Sequence, residues 1–94
     1  MDKNKIIEGA AKLVAKGAYD KAIKEYQKIL DVDDLNEAAW YRLMANYIQS
    51  GQTEAAKYSF NRYVQILSKE ELDEEDIPSF DDLVREIKAG QLRV

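Results

Sequence analysis

Eighteen Asp and Glu side chains against fourteen Lys and Arg, with no cysteine and no histidine, bound the chemistry open to this chain of 94 residues. Without those two residue types there is no disulfide, no thiolate nucleophile, no zinc site built on them and no imidazole acid/base pair. Ser50, Ser59, Ser68 and Ser79 lack a histidine partner, and neither Ser-x-x-Lys nor Gly-x-Ser-x-Gly occurs. Gly9, Gly17, Gly51 and Gly90 are too dispersed to cradle a phosphate. Asp31-Val32-Asp33-Asp34 begins like a calcium loop but lacks the central glycine and the closing glutamate. The run Glu70-Glu71-Leu72-Asp73-Glu74-Glu75-Asp76 reads as a solvated linker at the frayed end of a helix. These observations predict a non-catalytic interaction module with no metal and no cofactor.

Charge is unevenly placed. Residues 1–69 carry a positive balance of two and residues 70–94 a negative balance of six, giving the net −4. No basic patch that would track a phosphate backbone is evident, so the expected partner is a protein or peptide, with no direct nucleic-acid binding. No apolar run is long enough to cross a membrane, so no membrane partner is expected. Met1-Asp2-Lys3-Asn4-Lys5 is not followed by a signal-type apolar region, which makes a cytoplasmic location the expectation. The length suits one domain.

The elements that must position any binding surface follow from an internal repeat. Displaced by 34 residues, Ile6 falls on Trp40, Ile7 on Tyr41, Ala11 on Ala45, Gly17 on Gly51, Ala22 on Ala56, Tyr26 on Phe60 and Leu30 on Val64. Within a unit, Ile6, Ala10, Leu13 and Gly17 step by four, three and four, which is one helix face and its terminal glycine. A second helix carries Ala22, Ile23, Tyr26, Ile29 and Leu30, with Asp20 expected as its N-cap. The next unit copies this over Ala38 to Ser50, with Gln52 or Thr53 as the following cap, and Glu54 to Leu67. The short turns demand antiparallel packing. After Pro78, Ser79 with Asp82 forms a capping box, and Phe80, Leu83, Val84 and Ile87 make one apolar stripe closed by Gly90.

Over residues 3–70 the chain resembles the tetratricopeptide repeat (TPR) family. The carriers are Trp40, Leu43, Tyr47, Gly51, Ala56 and Phe60 in the second unit, and Gly17, Tyr19, Ala22 and Tyr26 in the first. The family's closing proline is replaced by Asp34 and Ser68, and Gly9 stands where it favours leucine. The resemblance implies an all-α fold, a right-handed α-solenoid of two TPR helical hairpins plus a C-terminal capping helix. Its units would be residues 3–36 and 37–70, with an acidic linker and capping helix over 71–94. The second half resembles the bacterial transcriptional activator domain, a helical region found beside DNA-binding modules. The carriers there are Asn36 to Met44, Gly51, Ala55-Ala56, Phe60, Tyr63, Leu67, Glu70-Glu71-Leu72, Pro78-Ser79 and Leu83.

TPR resemblance also implies a concave groove lined by the first helix of each unit. Asn4, Ile7, Glu8, Ala11 and Val14 come from one, and Ala38, Tyr41, Arg42, Ala45 and Gln49 from the other. Tyr41, about 100° around the helix from Trp40, is expected to face a ligand while the other aromatics fill the core. Glu8 and Arg42 offer opposite charges, either to a ligand or to each other. Ile7, Ala11 and Ala45 replace the polar groups that grip a chaperone's terminal carboxylate, so that ligand class is not expected. Stacked repeats need about three units for a continuous core. Homo-oligomerisation as a homodimer, within a regulatory segment of a bacterial transcriptional regulator, is therefore the competing function. An isolated or engineered repeat fragment also fits.

Overall fold

A computed structural model describes residues 1–70 and 73–92, and among these the fold is all-α. Five helices follow in order: α1 (Lys3–Ala15), α2 (Tyr19–Val32), α3 (Glu37–Gln49), α4 (Thr53–Lys69) and α5 (Phe80–Lys88), with a 3₁₀ turn at Glu74–Asp76 before the last. Glu71 and Leu72, within the expected acidic linker, lie outside the described residues, as do Arg93 and Val94.

The helix ends obey local chemistry. Asp2, Asn36 and Ser79 cap α1, α3 and α5 by accepting from the main-chain N–H groups of Lys5, Ala39 and Asp82 at 3.2, 2.9 and 3.1 Å. The Ser79 cap is the one read from the capping box. Asp20 does not cap α2: the N-cap is Ala18, which has no side chain to offer, and Asp20 sits in the first turn, favourable there to the helix dipole. Gln52 holds the N-cap position of α4 without a side-chain capping bond; its Nε2 donates instead to Ser50 Oγ at 3.0 Å.

Three helices stop the same way. Gly17, Gly51 and Gly90 adopt φ of 77°, 78° and 80°, and the next residue's N–H returns to a carbonyl five residues back, Ala18 to Leu13, Gln52 to Tyr47 and Gln91 to Glu86, each at 2.8 Å. The chain is thereby reversed within three residues after α1 and again after α3, so α2 packs back on α1 and α4 on α3.

Helix α3 is the hub. It packs against α2, α4 and α5, and eight of its thirteen residues are buried. Tyr26 of α2 and Leu83 and Ile87 of α5 share one buried cluster with Met44. Small residues Ala10, Ala22, Ala39 and Ala56 are fully buried and set how near the helices come. The α2–α3 junction is pinned by side chains: Asp33 accepts from Lys3 Nζ at 3.0 Å and Asn36 Nδ2 at 3.3 Å, and Trp40 Nε1 donates to the Asp34 carbonyl at 2.7 Å. The motif that began like a calcium loop is thus a helix junction.

Candidate functional site

Between α1 and α3 lies a depression of about 230 Å³. Ala11, Val14 and Ala15 form one wall, and Arg42, Ala45, Asn46 and Gln49 the other. Tyr26 of α2 lies at its base, and Leu92, from the segment after α5, closes one side. Period and position bring this about: Ala11 and Val14 are three apart on α1, while Arg42, Ala45, Asn46 and Gln49 step by three, one and three on α3, one stripe on each helix. The alanines keep the space open.

Five residues assigned to the groove from the sequence meet here: Ala11, Val14, Arg42, Ala45 and Gln49. Asn4 and Glu8 are exposed on α1, and Ile7 and Ala38 are half-buried, outside the depression. Tyr41 does not face a ligand. It is 1% exposed and packs against Tyr63 of α4 with ring centroids 5.4 Å apart. The cause is the third neighbour of α3: once α4 and α5 both pack on it, the face 100° from Trp40 is interior as well. Trp40 and Tyr26 are buried as expected, while Tyr19, Tyr47 and Phe60 are half-buried.

Sequence reasoning missed Ala15, Asn46 and Leu92 as lining residues and read Tyr26 only as core. Asn46 lies four residues after Arg42, so its place on the stripe was legible. Its burial was not. Asn46 is 1% exposed; its Nδ2 donates to the Tyr19 carbonyl at 3.0 Å, which fixes the amide's orientation, and its buried Oδ1 has no partner. The orphan acceptor sits on a residue lining an otherwise largely apolar hollow. Tyr26 is the titratable group at the base: burial pushes its phenol above the usual range, and the nearby Arg42 guanidinium partly opposes the rise.

Comparison with known protein families decides the wider identity. The family model for the bacterial transcriptional activator domain matches residues 5–88, from the first turn of α1 to the end of α5. The chain belongs to this family. No curated protein and no solved structure matches it.

Membership in the bacterial transcriptional activator domain family corrects one expectation. Direct nucleic acid was excluded from the partners on charge, and a domain of transcriptional activators contradicts that exclusion. The error lay in averaging. The net −4 is set by the acidic residues after position 69, whereas Lys5, Lys12, Lys16, Lys21, Lys24 and Lys28 are all exposed on α1, α2 and the turn between them. A sum over the chain excludes nothing about that local surface. Among the described residues, no helix is long and apolar enough to cross a membrane.

Proposed function

We propose that this chain is a non-catalytic regulatory segment of a bacterial transcriptional regulator, acting in the cytoplasm by joining protein to protein. The observation that carries the proposal is the family match over residues 5–88. We place within it two TPR-like hairpins at 3–36 and 37–70, followed by a linker and capping helix over 71–94. Self-association suits the apolar surface near the α2–α3 junction. Val32, Leu35 and Tyr58 are large apolar side chains left exposed. Leu35 follows Asp34, whose carbonyl holds Trp40, and Tyr58 packs edge-on to that indole at 6.1 Å.

Sedimentation velocity over a wide concentration range, with the Leu35→Ser/Tyr58→Ser variant beside the parent chain, tests the assembly. A concentration-dependent dimer that the double variant abolishes is the expected result; a monomer throughout overturns it. The regulatory role is tested apart from assembly, by fusing the chain to a heterologous DNA-binding domain and measuring a bacterial reporter promoter. Transcription no higher than with the DNA-binding domain alone would overturn that role.

A second reading, peptide capture between α1 and α3, is favoured by the depression and its largely apolar lining.

A further inference from the structure

The first hairpin carries its positive charge in two rows. On α1, Lys5, Gly9, Lys12 and Lys16 step by four, three and four, and on α2 Lys21, Lys24 and Lys28 step by three and four, so each set follows one face of its helix. All six lysines are exposed, on the sides away from the buried Ala10 of α1 and the buried Ala22, Tyr26 and Ile29 of α2. The acids of the hairpin are turned aside or engaged. Glu8 shares a stripe with Ala11 and Ala15, which face the depression, while Asp20 and Asp31 lie beyond Lys24, on the side where Gln27 faces a second hollow against α3 and α4. Asp2 caps α1, and Lys28 holds Glu25 at 2.9 Å. Among the described residues the side chains of Lys5, Lys12, Lys16, Lys21 and Lys24 form no ion pair, whereas Lys3 and Lys57 are held by Asp33 and Glu54. Gly9 leaves the middle of the α1 row bare, with nothing within 4 Å of where a Cβ would stand.

We propose that these two rows form a contact surface for the phosphate backbone of duplex nucleic acid. The two helices are packed neighbours, and Lys16 and Lys21 flank the Gly17 turn that joins their rows. From Lys5 to Lys16 the α1 row runs about 16 Å along its helix. A duplex of that length carries about ten phosphates, and each one met by a lysine releases condensed counterions. The rows hold no Arg, Asn or Gln, the side chains that fork onto base edges, so the surface positions a duplex without reading its sequence. The bare stretch at Gly9 lets a strand come close to the main chain of α1 between Lys5 and Lys12. This contact is separate from self-association and from the depression, and it gives the chain a second class of partner.

The test is fluorescence anisotropy of a labelled mixed-sequence DNA duplex, titrated with the full chain from low to physiological salt. With the five lysines engaged, log K is expected to fall against log salt with a slope of about −4 to −5, near −0.9 for each phosphate neutralised. Lys12→Gln/Lys16→Gln/Lys21→Gln changes exposed positions to a residue of similar helix propensity, so the fold is kept, and the slope is expected to drop to about −2. Lys57→Gln/Lys69→Gln/Lys88→Gln removes as many charges from α4 and α5 and is expected to leave the slope unchanged. Equal losses in the two triple variants would overturn the assignment to the first hairpin, because overall charge would then account for the binding. No binding by the parent at low salt would overturn the proposal outright. A labelled polyglutamate chain that binds as tightly as the duplex would overturn it too, by making an acidic protein the occupant of this face.

Discussion

Single side chains set the balance between core and surface here, and Tyr41 is the sharpest case. Its ring is enclosed against Tyr63, so Tyr41→Ala removes a buried aromatic and should cost about 3–5 kcal/mol, read as a fall in the urea midpoint. Were it a ligand-facing residue, the same change would alter binding and spare stability. Gly17 and Gly51 have open space where a Cβ would stand, so replacing either with alanine meets no clash but forces a side chain into the left-handed region. The expected cost is about 1 kcal/mol, or a melting temperature lower by roughly 4–8 °C by circular dichroism. Two carboxylates respond to acid in opposite directions. The hydrogen bond from Lys3 to Asp33 is the main cause holding that carboxyl below its ordinary 3.8, so its contribution is present above that value and lost as pH falls toward the lowered folded value. Burial, with a hydrogen bond and like charge from Glu70, raises the Glu37 carboxyl above 4.5. The folded state therefore favours protonated Glu37, and stability is lost as pH rises through the window just above 4.5. Glu70→Gln should raise the urea midpoint at pH 7 and give no difference from the parent below pH 4; the same difference at both pH values would rule out the carboxylate contact as its cause.

At the scale of elements, local signals explain most of what the sequence foretold. The helical periods and the glycines at 17, 51 and 90 were legible because each is a property of neighbouring residues, and the structure places a helix or a reversal at every one. The start of α2 was not legible, since Ala18 holds the cap position with no side chain to announce it. Nor was the setting of Tyr41, because a helical wheel shows faces but does not count the helices packed against them. Half of the groove was readable for the same reason: Ala11 and Ala45 are related by the repeat, whereas Leu92 arrives from outside the repeated units. The cap of α5 gives the prediction proper to this scale. Ser79→Ala removes the acceptor for the Asp82 N–H and should cost about 1 kcal/mol. Hydrogen exchange should quicken in the amides of α5 while those of α1 keep their protection; uniform acceleration would mean that α5 does not open separately.

For the whole molecule, α3 ties the two hairpins and the last helix into one unit, because its neighbours α2, α4 and α5 share a core rather than meeting only at their ends. Leu83 is fully buried in that core, and Leu83→Ala should cost about 2–5 kcal/mol and lower the stability of the whole chain in one transition, with circular dichroism and hydrogen exchange in α3 reporting the same midpoint. Two separate midpoints would show that α5 is dispensable to the hairpins. Trp40, the single tryptophan, gives such experiments a built-in signal. Its indole N–H is bound to the Asp34 carbonyl, Tyr58 meets its edge, and the Arg62 guanidinium lies 5.5 Å from its ring centre. One fluorophore thus reads the contact between the end of the first hairpin and both helices of the second. A change in its emission colour or polarisation on assembly would locate a binding event at that junction without any label.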